Sequence, residues 1–438
     1  MTVAEWMKLF KAKKASPVEA VQHSLEQIRQ LNPVLNAFCF VDEQSALADA
    51  RASEQRWQHG TPRSALDGVP VGIKDLLLTQ GWPTLKGSCA VDPNQLWDQD
   101  APVVAQLRNA GAVLVGKTTT SEFGSKITTD SLLNGITRNP WNNKYTSGGS
   151  SGGSAVAVCT DMVPLTIGTD YIGSVRTPAA FCGVVGFKPT YDLLPNNNFS
   201  MFECGHVGPL ARTVDDIALF LGTKLNQPNL SNLRIAYSPN LGFAKNINHE
   251  IACMTEQVAT ALAQAGAQVD RVSKVVDDPL DIISYMYLID VHHHWKQLTE
   301  SQKQLTDRLY QYRALQSLKL QQYIDQTKIQ QAELKQKIQT FMLSYDIILT
   351  PSTAVAADAF CADDIMFDPT MLATDYVPFG YLFNLTHQPA ITVPVGLNRL
   401  GMPVGVQLAG AVGADALVLS VAQAVESAFP MPVCPVTL

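Results

Sequence analysis

The sequence predicts an α/β protein whose central sheet is largely parallel and therefore buried, and three observations carry that prediction. Helical periodicities alternate with short apolar runs, a unit of helix, glycine and strand recurs, and no long polar linker divides the 438 residues. One large domain spanning residues 1–438 is expected. Within it the stretch 272–345 differs in character, because Gln, Lys, Leu and Tyr dominate it and glycine is absent. This stretch is expected to be a helical insertion, either shaping a pocket or serving as an amphipathic packing layer.

The elements follow in order. Ser16-Pro17-Val18-Glu19 is a capping box with proline at the first helical position, and Val18, Val21, Leu25 and Ile28 then share one helical face. Asn32-Pro33 is expected to stop that helix. A second helix fits Glu43 to Trp57, and a third opens at Asp100-Ala101-Pro102 and closes at Gly111, ahead of a buried strand over Ala112 to Val115. The pattern returns as a strand over Leu233 to Tyr237, a helix over His249 to Ala265, Gly266, and a strand over Ala267 to Val269. Asp346 to Leu349 repeats it after the helical stretch.

Composition excludes several classes. With 46% hydrophobic and 16% charged residues the chain buries a sizeable core and is not disordered. A net charge of −7 provides no basic stripe, so no directly bound nucleic acid is expected. No apolar run reaches the length of a membrane span, so no membrane partner is expected either. The eight cysteines lie scattered without a C-x-x-C pair, and Met1 to Lys14 lacks both an apolar core region and a cleavage site. Both features predict a cytoplasmic setting with free thiols.

Three segments carry candidate chemistry. In the first, Gly68 to Leu78, a single lysine, Lys74, stands inside an apolar strand. Burial lowers a lysine pKa, so Lys74 is either a neutral base or the partner of adjacent Asp75. The second, Thr146-Ser147-Gly148-Gly149-Ser150-Ser151-Gly152-Gly153-Ser154, sets glycines on both sides of a serine pair ahead of a helix over Ala155 to Val158. A phosphate-binding loop is excluded, because no lysine follows the glycines. A nucleophile elbow, which Gly148 to Gly152 matches formally, needs a strand before it, and Asn139 to Tyr145 is polar and turn-like. His206, His249 and His387 are nominal bases for such an elbow, each more often structural, and the run His292-His293-His294 fits no zinc spacing and is expected on a solvated helix face.

The third segment runs from Gly168 through Asp170, Tyr171, Ile172, Gly173, Ser174 and Arg176 to Thr190. Together with the Ile73-Lys74-Asp75 strand and the serine-glycine segment, in that order and with Ser174 placed 24 positions after Ser150, it resembles the signature of the amidase family. Asp100 to Lys117, Asn139-Pro140-Trp141, Gly208 to Thr213 and Phe383 to Gly396 extend the resemblance, leaving only about 270–375 without a counterpart.

That resemblance implies a large central mixed, mostly parallel β-sheet covered by helices, and an amidohydrolase that cleaves the C–N bond of a small carboxamide. It implies Ser174 as nucleophile, Ser150 as the bridging serine after a cis peptide bond, and Lys74 as general base, with no metal and no organic cofactor. Backbone N–H groups of Tyr171, Ile172, Gly173 and Ser174 are expected to hold the oxyanion. Ser151 is expected to join the relay, Gly124 to line the amide pocket, and Arg176 either to anchor an acidic substrate or to support the loop. Family members usually carry two glycines before the nucleophile. Here Ile172 replaces the first, which predicts a narrowed pocket or, as a competing outcome, an inactive protein. The partner expected is a small amide, with a homodimer as candidate assembly. The family also includes amidotransferase subunits that hydrolyse glutamine within a tRNA-dependent complex, which stands as the alternative class.

Overall fold

The computed structural model describes residues 1–195, 200–225, 229–318, 320–363 and 376–436. The expected helix after Ser16 forms with both halves of its capping box, Ser16 to Glu19 and back. It does not stop at Asn32-Pro33 but runs to Leu35, with Pro33 in its last turn. The Asn32 side chain explains the end point, since it accepts from Ala37 N at 2.8 Å and Phe38 N at 2.7 Å while Asn36 turns left-handed at φ +52°. Helices over Glu43–Gln58, Pro102–Asn109 and His249–Gln264 match expectation to within two residues at most ends, as do strands over Val113–Thr118, Arg234–Tyr237, Gln268–Arg271 and Ile347–Pro351.

Eleven strands among the described residues form one mixed sheet, in the order Phe38–Val41, Val113–Thr118, Pro70–Lys74, Leu165–Asp170, His206–Ala211, Val185–Lys188, Ala390–Leu397, Pro403–Gly410, Ile347–Pro351, Arg234–Tyr237, Gln268–Arg271. Pairing is parallel in two runs, around Pro70–Lys74 and around Arg234–Tyr237, and antiparallel across the centre. Both faces are covered. Within Val113–Thr118, Leu114 packs into one core cluster while Val113 and Val115 pack into another on the opposite face, as strand alternation requires.

The low-glycine stretch folds as helices Leu280–Trp295, Glu300–Leu305, Arg308–Ser317 and Ile324–Phe341, inserted between the edge strand Gln268–Arg271 and Ile347–Pro351, which flank Arg234–Tyr237 in the sheet. Ile283, Met286, Ile289, Leu334 and Ile338 pack with Phe379, Tyr381 and Phe383. Residues 364–375, at the end of the stretch without a counterpart, lie outside the described residues. No helix among the described residues is long and apolar enough to cross a membrane, and the eight cysteines are free.

Candidate active site

Parallel pairing of Pro70–Lys74 with Leu165–Asp170, Ile73 opposite Ile167, brings the carboxyl ends of two strands to one edge of the sheet. Lys74 ends the first strand and Thr169 and Asp170 end the second. The serine-glycine turn closes over that edge. Gly149 fits there because a Cβ would stand 2.4 Å from the Thr128 carbonyl oxygen, and Thr129 Oγ1 ties the turn by donating to Gly148 O at 2.8 Å and accepting from Gly152 N at 2.9 Å. The Gly149–Ser150 peptide is cis. Ser151 N donates to Ser174 O at 3.2 Å, which joins the two serine segments.

Lys74 is fully buried and does not pair with Asp75. Its Nζ lies 2.8 Å from Ser150 Oγ, 2.7 Å from Ser151 Oγ and 2.9 Å from Thr169 Oγ1. Burial pushes the ammonium well below the ordinary lysine range, opposed only by the Asp170 carboxylate. A neutral amine offers two N–H donors and one lone pair, which three hydroxyls satisfy because each can donate or accept. Ser151 completes its own set by donating to Thr169 O at 3.2 Å.

Ser174 and Ser150 both line a cavity of about 190 Å³. The Ser174 residue is 8% exposed, and among the described residues its hydroxyl makes no hydrogen bond, which leaves it facing that space. Hydrogen bonds in a catalytic relay are often open until substrate binds.

The loop before Ser174 departs from expectation at Gly173. Gly173 N donates to Asp170 Oδ1 at 2.9 Å, so this amide is spent and is not an oxyanion donor. The amides of Tyr171, Ile172 and Ser174 have no acceptor among the described residues. Arg176, one of the two readings of which was a substrate anchor, is 1% exposed and does not line the cavity. It grips both Asp170 oxygens at 3.0 and 2.8 Å and donates to Gln407 Oε1 at 2.6 Å, Gly380 O at 2.9 Å and Asn384 Oδ1 at 2.6 Å. Burial alone would raise the Asp170 carboxyl, but the guanidinium overrides it and holds the group well below the usual carboxylate range. Arg176 therefore supports the loop.

Ile172 strains nothing, since the positive φ falls on Gly173 at +109°. Its side chain packs outside the cavity against the cluster of Tyr381 and Phe383, and its carbonyl presses on Gly380, where a Cβ would come within 2.0 Å. Tyr171, unlike Ile172, faces the space. It lines the cavity and donates to Asp290 Oδ2 at 2.6 Å. Gly124 lies where expected, at φ +69°, with room for no Cβ: one would meet Leu76 Cδ1 at 2.8 Å and Ser150 Oγ at 3.2 Å.

The far wall was not identified from the sequence. Tyr287, Asp290, Val291 and His294 from one insertion helix and Tyr310 from another close the cavity, together with Lys86 and Phe123. Of the histidine run only His293 is exposed as expected: His292 is buried against Ser317 Oγ at 3.1 Å, and His294 Nδ1 meets the Tyr310 hydroxyl at 2.5 Å. Burial, with Lys86 adding to it, lowers His294 to about 4, so it is neutral. The periodicity of the helix held the only signal, as Tyr287, Asp290, Val291 and His294 recur at spacings of three and four. His206 is buried at a strand end, stacked edge-on to Tyr191, away from this cavity.

Fold and site together define an amide hydrolase. The family profile described as Amidase matches residues 19–419, and the chain belongs to that family. It is 30% identical over 452 residues to an acylamidase of Rhodococcus erythropolis, covering 95% of this chain and 92% of that one. It is equally 30% identical, over 473 residues and 95% of each chain, to a glutamyl-tRNA(Gln) amidotransferase subunit from Neisseria meningitidis serogroup C (strain 053442). The solved structure of a bacterial aryl acylamidase of the amidase signature family superposes with a TM-score of 0.88 at 25% identity, over 98% of this chain and 96% of that one.

Proposed function

We propose that the protein cleaves a small carboxamide through an acyl-enzyme on Ser174, without a metal or organic cofactor. The observation that carries this is the buried, pKa-depressed Lys74 held only by hydroxyls and one distant carbonyl, beside a cavity that both serines line. Neutral Lys74 takes the Ser150 proton, Ser150 takes the Ser174 proton, and Ser174 Oγ adds to the amide carbon. The oxyanion rests on the unspent amides of Tyr171, Ile172 and Ser174. Collapse breaks the C–N bond, and the proton returns through Ser150 to the leaving amine. Water then enters by the same relay and releases the acid. Because Ile172 points out of the cavity, the narrowed-pocket reading moves to Tyr171, and the inactive reading loses its stated cause.

The test is a panel of small amides assayed for ammonia or amine release, with Ser174→Ala as control, and mass spectrometry of a fluorophosphonate adduct. Turnover dependent on Ser174 and label on that residue are expected. Absence of both on every amide overturns the reading.

The amidotransferase relative keeps a glutaminase role in view. A free amino acid brings an ammonium as well as a carboxylate, and the carboxylate of this cavity, Asp290, is already occupied by Tyr171, Ser200 and the Met201 amide. That favours a stand-alone amidase. Native mass spectrometry of the isolated assembly separates the two, since a heteromeric complex reverses the ranking.

A further inference from the structure

Lys86 is the one polar group of the cavity that neither the relay nor the insertion helices employ. It sits at the tip of a turn at φ +55°, held by its own backbone: Phe123 N donates to Lys86 O at 2.8 Å. Its side chain is half-buried and lines the same space as Ser150 and Ser174. Among the described residues its ammonium makes neither a hydrogen bond nor an ion pair within 4 Å. Every nearby anion is committed. Asp75 turns one oxygen to Lys117 Nζ at 3.7 Å and accepts from Gly87 N at 3.3 Å with the other. Glu122 accepts from Ser88 Oγ and Asp307 N, each at 2.6 Å. Asp290 has its three donors, and His294 is neutral.

Burial pulls the Lys86 ammonium below the ordinary lysine range, opposed by the charge of Asp75, and with no carboxylate of the described residues within 4 Å of it, an anion entering the cavity stabilises the cation. The remaining walls, Phe123, Tyr287 and Tyr310, are aromatic and supply apolar area for a hydrocarbon or aryl body. We propose that the amide cleaved here carries a carboxylate, and that Lys86 seats it while the aromatic wall takes the body of the molecule. This rests on the acyl-transfer reading of the same cavity. Lys86 sets specificity and takes no part in bond breaking.

Two matched pairs of substrates test the assignment. Adipic acid monoamide against hexanamide places the charge on the acyl part, and 4-acetamidobenzoate against acetanilide places it on the leaving amine. In at least one pair the acid should exceed its neutral partner by tenfold or more in kcat/KM. Lys86→Met should reduce that ratio by about tenfold, and Lys86→Glu should transfer the preference to 6-aminohexanamide or 4-acetamidobenzylamine, a gain that misfolding cannot produce. A native preference for the neutral member of both pairs, or a ratio that survives Lys86→Met, overturns the proposal. If no amide is turned over, the acyl-transfer reading has failed, and calorimetry on Ser174→Ala decides the anion seat alone. Tighter binding of adipic acid monoamide than hexanamide, lost in Lys86→Met, supports it; equal binding of the two overturns it.

Discussion

Lys74 and Lys117 stand on neighbouring parallel strands, Lys74 opposite Thr118 and Ile73 opposite Lys117, and neither has any exposed surface. Their surroundings differ in one respect. Lys117 donates to Leu77 O at 2.6 Å, Thr84 Oγ1 at 2.7 Å and Thr79 Oγ1 at 3.3 Å and faces Asp75 at 3.7 Å, and because both threonine hydroxyls spend their protons on Leu77 O, the whole set accepts from the lysine. Lys74 meets three hydroxyls at 2.7–2.9 Å, which donate as readily as they accept, and its one carbonyl contact lies at 3.5 Å. Acceptors hold a lysine through its N–H groups alone and make it a staple between segments, whereas hydroxyls can also offer a proton to its lone pair and leave it free to move one. A third buried lysine, Lys188, donates to the carbonyls of Pro189 and Gln388 and belongs with the staples. Burial alone does not mark the base; the chemistry of the partners does.

The largest effects should separate the two lysines. Lys74→Met is expected to lower kcat by ~10²–10⁴ while leaving the melting temperature near or above that of the native protein. Lys117→Met strands Asp75 and should cost ~3–5 kcal/mol of stability, with kcat retained in the folded fraction. Thermal unfolding and amide turnover measured on both variants check this. A stable, inactive Lys117→Met would erase the distinction.

The pH dependence sharpens it. Protonation of Lys74 stops the relay, so kcat/KM should fall on the acid side through a pKa well below 10.5, and Lys74→Met should lack that limb. Lys117 speaks through stability. Burial, opposed by Asp75, lowers it to about 8, so between about 8 and 10.5 the unfolded chain binds the extra proton and stability rises with pH. The span is worth roughly 3 kcal/mol, and denaturant titrations of Lys117→Met across that window should show a flatter profile.

Much of this was legible in the sequence. Capping residues, glycine stops and the motif order yielded several of the helices, five of the eleven strands of the sheet and the Lys74, Ser150 and Ser174 constellation, because each is a local or ordered signal. What stayed hidden was set by contacts distant in sequence. The acceptor of the Gly173 amide, Asp170, is only three residues away, but nothing near it shows that Asn384 and Gln407 complete the Arg176 cage that holds Asp170 from more than 200 positions away. The insertion helices hid the far wall for a related reason: Tyr287, Asp290 and His294 look like an ordinary amphipathic face until docking turns it toward Ser174.

Gly124 brings the comparison to the open side of Lys74. With φ at +69° and a Cβ position 3.2 Å from Ser150 Oγ, Gly124→Ala both strains the turn and pushes on the bridging hydroxyl. It should cost ~1–2 kcal/mol in stability and about tenfold in kcat, read from denaturant unfolding and steady-state rates. An equivalent substitution beside Lys117 has no route to kcat.

The smallest effect lies at Tyr171, where two accounts of the cavity differ. If the ring narrows the space, Tyr171→Phe keeps the steric wall and removes only the hydroxyl that donates to Asp290 at 2.6 Å. Burial already raises the Asp290 carboxyl, and losing this donor, which counters the rise, should raise it further. The expected cost is ~1 kcal/mol of stability with the substrate profile unchanged, whereas Tyr171→Ala should admit bulkier amides. Steady-state rates on acyl chains of increasing branching decide the point: a profile that broadens in Tyr171→Phe as much as in Tyr171→Ala would place the control of size in the Asp290 hydrogen bond, which anchors the insertion helix, and not in the ring.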